Sequence, residues 1–422
     1  MKIAFTTLGC KLNYAETATY ERNLVAAGWE VVPWTSEADV YLINTCAVTE
    51  TAEKKSRNLI RRAHKTAPEA RIVVTGCYAQ LRKDQLLAME GVWRVFGADE
   101  KSRIVSTICH SEFCHSEFCH SERSEESVPS TFGAYSSGEE RTRSFLKVQD
   151  GCDNFCAYCT VPYARGRSRN IPVCEVVKMA RSIAADGVKE VVLTGVNTGD
   201  FGRSSGESFL DLLKALNEVE GIERYRISSI EPNLITPEII DWIASGTKFQ
   251  RHFHIPLQSG SDTLLRRVGR RYDTALFASR IDYIRKALER PGEPSVFFGI
   301  DVIVGLPGET EELFMETYNF LKERIRPSFI HVFPYSRRPG TRAAEWKDQV
   351  QDRLKTERVA RLEALCEDLH AAFVAANKGV RETVLWESSV KGGLMGGYTG
   401  NYIRVEKPWD PALVNQLETV TL

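Results

Sequence analysis

Along the first hundred residues, short β-branched runs alternate with stretches of helical period. KIAFTTLG, DVYLINT and RIVVTG read as strands, and polar or amphipathic segments at residues 13–27, 51–65 and 83–90 follow them in turn. Strands alternating with helices predict βαβ units around a parallel sheet. The rhythm resumes between residues 144 and 336. SFLKVQ, EVVLTG, RYRISSIE, FHIPLQ, FFGIDVIVG and FIHVFPYS are six strand candidates, with helical patterns at 173–185, 208–220, 237–244, 273–288 and 311–324 between them. Six strand–helix units exceed a small nucleotide domain and fall short of a closed eight-fold barrel. An open, partial (β/α)6 barrel is expected. A long helix over 346–377 follows, with Leu354, Leu362, Leu365 and Leu369 near helical spacing. From about Gly379 the pattern changes to VRETVLWE, NYIRVEKP and LETVTL, separated by the Gly-rich KGGLMGGYTG. These predict a small β-barrel or hairpin module that leans on the barrel for stability.

Residues 101–143 break both rhythms. CHSEF CHSEF CHSER repeats every five residues and runs into a Ser/Glu-rich tract with no apolar face and no caps. Regular Cys and His can take up metal, but the segment reads as a low-complexity linker. Cys109, Cys114 and Cys119 therefore carry no site expectation. The fold class is α/β: an α/β domain with a parallel sheet over 1–100, the linker over 101–143, the partial barrel over 144–378 and the β module over 379–422. A chain of 422 residues accommodates that many cores.

Composition narrows the function. Fifty-five Lys and Arg nearly cancel 56 Asp and Glu, so any nucleic-acid binding must come from local patches rather than from net charge. No apolar run approaches the 18 or so residues of a membrane span, and MKIAFTTLGCKLNYAE reads as a first strand rather than a secretion signal. A cytoplasmic protein with no membrane partner is expected. Eleven cysteines, an odd count, then argue against a disulfide scaffold and for metal or catalysis.

Each of the first three strands ends in a cysteine: Cys10, Cys46 and Cys77. In open α/β sheets the carboxyl ends of the strands open onto one crevice, so three thiols remote in sequence are expected to converge. A second set, Cys152, Cys156 and Cys159, sits in GCDNFCAYC just after the first barrel strand. Three thiolates on one loop can hold three irons of a [4Fe–4S] cluster. A structural zinc usually takes four protein ligands, and no fourth Cys or His lies nearby, which leaves one iron open for a chelating substrate.

CxxxCxxC at the mouth of a parallel barrel, with Tyr158 before the last Cys, resembles the radical S-adenosylmethionine (SAM) superfamily. That resemblance implies that the open iron chelates the amino and carboxylate groups of SAM, and that an electron from the cluster cleaves SAM to methionine and a 5′-deoxyadenosyl radical. Two three-Cys sets followed by a small β module resemble the methylthiotransferase family, in which the N-terminal domain holds a second [4Fe–4S] cluster and the β module is a TRAM domain. TLGCKLNYAE, NTCAVTETAEKKSR, VTGCYAQ, GCDNFCAYCTVPYARGRSRN, HIPLQSGSDTLLRRVGRRY, DVIVGLPGET and FPYSRRPGTRA carry the resemblance over nearly the whole chain apart from the repeat. TLGCKLN and NTCAVTETAEKKSR resemble the branch that methylthiolates N6-threonylcarbamoyladenosine at position 37 of tRNA. The isopentenyladenosine branch typically starts TYGCQMN, and the branch acting on a ribosomal-protein aspartate starts SLGCPKN.

The resemblance implies that Cys10, Cys46 and Cys77 hold an auxiliary cluster carrying the sulfur to be transferred. One SAM methylates that sulfur and a second supplies the radical, because an unactivated aromatic C–H bond offers no handle to acid–base or nucleophilic chemistry. SAM contacts are expected from Tyr158; from Thr194, Gly195 and Asn197 (TGVN, where the superfamily more often has Gly-Gly-Glu); and from Ser229, Glu231, Gln258 and Gly305. Gly305 and Gly308 would admit close backbone approach to the adenine.

The implied partners are the tRNA anticodon stem-loop, SAM and a flavodoxin- or ferredoxin-like electron donor. Candidate RNA contacts are Lys54, Lys55, Arg57, Arg61 and Arg62; Arg165, Arg167 and Arg169; Arg266, Arg267, Arg270 and Arg271; and Arg337 with Arg338. Tyr398 and Tyr402, beside Lys391, Arg404 and Lys407, suit an aromatic-plus-cation surface for RNA or core packing. His252 and His254 alternate along a strand, with one expected to point inward as a core histidine. The same chemistry on the other two substrates, a non-catalytic iron or RNA-binding protein, and a zinc protein are the rival readings.

Overall fold

The computed structural model describes residues 1–110, 132–136, 142–203 and 205–422. The N-terminal layer is a five-stranded parallel sheet of order β2-β1-β3-β4-β5. Its strands are β1 (Lys2–Thr7), β2 (Glu30–Val31), β3 (Val40–Thr45), β4 (Arg71–Gly76) and β5 (Val92–Val95). The central β3, VYLINT, is buried along its whole length because helices cover both faces of the sheet. On one face Ile3, Val40, Leu42 and Val73 pack against α1 (Lys11–Ala26). On the other Ala4, Tyr41, Ile43, Ile72 and Val74 meet α2 (Glu50–Thr66), α3 (Cys77–Leu81) and α4 (Lys83–Leu87). The layer does not stop at residue 100. α5 (Ile104–Cys109) places Ile104, Ile108 and Cys109 in the core beneath α1, so the linker expected from 101 begins later. Cys114 and Cys119 lie outside the described residues, as does the rest of the repeat.

The barrel strands are β6 (Arg143–Lys147), β7 (Gln149–Asp150), β8 (Arg169–Asn170), β9 (Glu190–Thr194), β10 (Arg224–Ile227), β11 (His252–Gln258), β12 (Phe297–Val304) and β13 (Phe329–Pro334). β7 and β8 form a small antiparallel pair framing the second cysteine loop and α6 (Val161–Arg165). The others form two parallel sheets, β10-β9-β6 and β11-β12-β13, and the parallel bridge Tyr225–Phe249 joins them into one wall. Among the described residues no ladder closes β6 onto β13, so the six-stranded barrel is open. α7 (Val173–Ala185), α8 (Phe209–Asn217), α9 (Pro237–Ala244), α10 (Asp262–Val268), α11 (Thr274–Leu288) and α12 (Glu311–Asn319) connect its strands. Side-chain caps at Ser208, Asp273 and Thr310 start three of these helices.

The long helix, α13 (Asp352–Ala376), starts six residues later than expected. The Gln349 amide donates back to the Ala343 and Trp346 carbonyls and holds that stretch as a turn. The C-terminal module is an antiparallel sheet of order β16-β15-β14-β17, made of β14 (Arg381–Lys391), β15 (Leu394–Thr399), β16 (Arg404–Pro408) and β17 (Leu417–Thr421). The Gly-rich stretch expected to separate strands is itself the central strand β15. Gly392 and Gly393, with φ +60° and +80°, make the turn. A Cβ on Gly397 would sit 2.5 Å from Val384 Cγ1, so glycine lets the strands pack closely. The module leans on the barrel: Arg226 donates to the Thr399 and Gly400 carbonyls, both at 2.8 Å, and Asn401 to Ser295 O at 3.0 Å. No helix among the described residues is long and apolar enough to cross a membrane.

Candidate active site

β1, β3 and β4 are neighbours in the N-terminal sheet, and their carboxyl ends carry Cys10, Cys46 and Cys77. Backbone geometry brings the three ends together. Gly9 has φ +100°, and a Cβ there would lie 2.9 Å from Cys46 Sγ; Gly76 has φ +99°, and its Cβ would meet Thr45 O at 2.3 Å. Asn13 ties the turns, donating to Leu8 O at 2.8 Å and Thr45 O at 3.1 Å. All three thiols are free; Cys46 and Cys77 are buried and Cys10 is exposed, so the triad opens to one side. Burial pushes Cys46 up to about 11 and raises Cys77 too.

The second triad lies on the loop between β7 and α6. A Cβ on Gly151 would strike Arg167 O at 1.9 Å, and Phe155 takes the left-handed conformation at φ 47° to turn the chain. Arg270 donates to Cys156 Sγ at 3.3 Å and to Glu231 Oε1 at 2.8 Å, and Asn154 holds the same oxygen at 2.7 Å. Burial pushes Cys152 up to about 11 and Cys159 to about 12. One zinc bound to thiolates at about 2.3 Å draws its sulfurs to within about 4 Å of each other. Neither triad gathers its three sulfurs within 4.8 Å. The sulfurs do not stand as close as a single ion would draw them, and sets of three free thiols are the donors that iron–sulfur clusters take.

Around the second loop the structure brings together Tyr158, Asn197, Ser229 and Glu231. Asn197 Oδ1 accepts from Glu231 N at 3.3 Å, Ser229 O accepts from Thr198, and Arg270 reaches Tyr158 Oη at 3.4 Å. Thr194 ends β9 with its hydroxyl turned to Val192 O. Gln258 sits at a register shift with φ +67°. Gln149, not singled out from sequence, is the joint between these parts. Its Oε1 accepts from Val196 and Asn197 at 2.9 and 3.0 Å, and its Nε2 donates to Gly151 O at 2.8 Å. A glutamine ending a strand carries no sequence signal. Next to it, a Cβ on Gly195 would meet Gln149 Oε1 at 2.9 Å. A Cβ on Gly305 would meet Lys355 Cγ of α13 at 2.4 Å and one on Gly308 would meet Arg267, so these glycines accommodate protein side chains.

A buried ion network lies between the N-terminal layer and the barrel. Glu16 of α1 accepts from Lys101 at 2.7 Å, Lys147 at 2.9 Å and Arg165 at 3.3 Å; Asp150 accepts from Lys147 at 2.7 Å and Arg165 at 2.9 Å. Burial pushes Glu16 up, but the three cations outweigh it and hold the carboxyl well below its ordinary value. Arg165 also donates to Asn13 Oδ1 beside the first triad. Read from sequence as part of a basic patch, Arg165 is buried and committed to carboxylates; Arg167 beside it is exposed. Arg270 belongs to the second thiol loop, Arg267 pairs with Asp348, and Arg338 is buried against Glu53 of α2. Lys54, Lys55, Arg61 and Arg62 stand outward on α2.

Inside the barrel is a cavity of ≈ 720 Å³ walled by Phe145, Arg226, His252, His254, Phe297 and His331, among others, and by Tyr398, Tyr402 and Arg404 of the C-terminal module. Residues two apart on a strand share a face, so His252 and His254 both line this space, contrary to the expectation that only one points inward. His254 Nε2 is 2.6 Å from Asp301 Oδ1, and the His331 ring lies 4.9 Å from that of His254. Tyr398 and Tyr402 stack on each other at 4.8 Å, and Arg143 donates to Tyr402 Oη at 3.1 Å. They form a cavity wall between domains. Lys407 is engaged by Glu418. From the N-terminal layer, Lys11 reaches the same cavity.

Residues 2–97 match the model of UPF0004, described as an uncharacterized protein family, and residues 146–321 match the radical SAM superfamily. The chain is 41% identical to a threonylcarbamoyladenosine tRNA methylthiotransferase MtaB of Bacillus subtilis (strain 168), over 96% of this chain and 89% of that one. A protein of the same name from Aquifex aeolicus is 37% identical, over 96% and 97%. A tRNA-2-methylthio-N(6)-dimethylallyladenosine synthase of Geobacter metallireducens is 35% identical, over 99% and 94%. Among solved structures, the radical S-adenosylmethionine methyltransferase TsrM from Kitasatospora setae, with cobalamin and a [4Fe–4S] cluster bound, matches with a TM-score of 0.56 at 15% identity, covering 81% of this chain and 77% of that one. That likeness is one of fold.

Proposed function

The chain belongs to the MtaB-type methylthiotransferase family within the radical SAM enzymes, and from that membership we propose that it inserts a methylthio group at carbon 2 of N6-threonylcarbamoyladenosine at position 37 of tRNA. The product is 2-methylthio-N6-threonylcarbamoyladenosine. Its cofactors are SAM and two [4Fe–4S] clusters. Cys152, Cys156 and Cys159 would hold the cluster that meets SAM, and Cys10, Cys46 and Cys77 the auxiliary one. When bound, these groups supply the sulfur, the methyl group and the radical chemistry that opens an unactivated C–H bond.

The chain's own residues do the positioning. Arg270 bridges Cys156 and Glu231 and so fixes the second loop against the end of β10. Gln149, Asn197 and Glu231 form a polar rim suited to the amino and carboxylate groups of SAM. Tyr158, Thr194, Gly195, Ser229 and Gln258 complete the rim at the strand ends. The Glu16–Arg165–Asp150 network holds the two thiol sets in a fixed relation. A flavodoxin- or ferredoxin-like donor would supply electrons, and a cytoplasmic setting would keep the thiols reduced.

The observation that carries this reading is the pair of three-thiol sets, one at adjacent strand ends and one on a single barrel-mouth loop. The test is anaerobic reconstitution with iron and sulfide, then incubation with SAM, reductant and tRNA bearing threonylcarbamoyladenosine, read by nucleoside mass spectrometry. The 2-methylthio product together with 5′-deoxyadenosine is expected. Deoxyadenosine without that product would redirect the substrate to isopentenyladenosine or a protein aspartate, and no SAM cleavage from a cluster-loaded sample would refute the reading.

A further inference from the structure

Most charged groups on the cavity wall already have partners. Arg143 donates to Glu387 at 2.7 Å, Arg226 to Glu190 at 2.7 Å, Arg404 to Glu406 at 2.9 Å, and His254 is engaged with Asp301. Lys11 is the exception. Among the described residues its ammonium has no hydrogen bond and no carboxylate within 4.0 Å, yet it lines the cavity together with Arg143 and Arg226. Lys11 is exposed, and it opens onto the cavity beside two guanidiniums, an arrangement that suits an anion. It is also the residue next to Cys10, at the first turn of α1, so the first thiol set and this cation are fixed to one another through a single peptide unit.

This deepens the reading above and rests on it. In the adenine ring, carbon 2 and the N6 substituent flank N1 on the same edge. A base whose carbon 2 faces the Cys10 side therefore presents that edge, and its N6 arm with it, to the wall beside Cys10. The threonylcarbamoyl arm ends in a carboxylate, whereas an isopentenyl arm has none. The aromatic faces of Phe297, Phe329 and Tyr402 on the same wall suit the uncharged part of the ligand. We propose that the Lys11 ammonium binds the carboxylate of the N6-threonylcarbamoyl group and so distinguishes a carboxylate-bearing adenosine from one with an apolar N6 substituent or none.

The experiment measures binding of the reconstituted full chain, and of Lys11→Met and Lys11→Arg, to two anticodon stem-loop RNAs that differ only in carrying threonylcarbamoyladenosine or plain adenosine at position 37. Iron content and visible absorption equal to the parent protein establish that each variant is folded and loaded. A charge-assisted hydrogen bond corresponds to about a ten- to hundredfold preference for the modified RNA, which Lys11→Met should abolish and Lys11→Arg largely keep. Binding to the plain RNA should not change. A preference that survives in Lys11→Met overturns the proposal. So does equal weakening for both RNAs, the signature of a phosphate contact. If the parent protein methylthiolates threonylcarbamoyladenosine while these outcomes occur, only the Lys11 assignment falls. If it does not methylthiolate that nucleoside at all, the substrate assignment falls and takes this one with it.

Discussion

Replacing Glu16 with Gln tests how the N-terminal layer and the barrel are held together. Glu16 is fully buried and faces Lys101, Lys147 and Arg165, with Asp150 the other carboxylate of the network. Neutralising it leaves three buried cations sharing one carboxylate. Removing one partner of a buried ion pair costs about 3–5 kcal/mol, and for a domain of 150–250 residues each kcal/mol moves the midpoint by about 2–4 °C. A fall on the order of 10 °C in the unfolding of the N-terminal layer is expected at pH 7. The pH dependence has a definite sign. The network holds the Glu16 carboxyl well below its ordinary value of 4.5, so its contribution is complete above that value and is lost as pH falls towards the depressed folded value. The gap between parent and variant should therefore narrow in acid. Scanning calorimetry of the cluster-free chain between pH 7 and 3 measures both quantities. A shift of only 1–2 °C at pH 7, or a gap that stays constant in acid, would refute the reasoning.

Two further perturbations separate the thiol sets. Gly9→Ala forces a Cβ to 2.9 Å from Cys46 Sγ at a backbone φ of +100°, so reconstituted iron should fall by about half while the second cluster's SAM cleavage remains; full iron loading would contradict this. Arg270→Gln removes donors to Cys156 Sγ and Glu231, which should raise the KM for SAM in 5′-deoxyadenosine formation and shift the reduction potential of the second cluster. An unchanged KM and potential would show that Arg270 only packs.

Several features were legible in the sequence because a local rhythm carried them. The βαβ alternation placed Cys10, Cys46 and Cys77 at strand ends, and adjacent strands in the sheet did the rest. What escaped depends on partners remote in the chain. Arg165 reads as one of a run of surface cations, since Glu16 lies 149 residues away. Ile104 and Ile108 abut a repetitive tract, and their burial follows only from the position of α1. β15 is masked by glycines whose purpose, room for Val384, belongs to the neighbouring strand. Lys11 lies within TLGCKLN, but its isolation is a property of the cavity that three parts of the chain enclose and shows in no motif.

The central claim is that the two thiol sets do different jobs in one enzyme. Its most direct test compares Cys10→Ala with Cys156→Ala after reconstitution, measuring 5′-deoxyadenosine and methylthiolated nucleoside in the same reaction. The account predicts that Cys10→Ala still cleaves SAM but makes no methylthio product, and that Cys156→Ala does neither. Methylthiolation surviving in Cys10→Ala, or SAM cleavage surviving in Cys156→Ala, would contradict it.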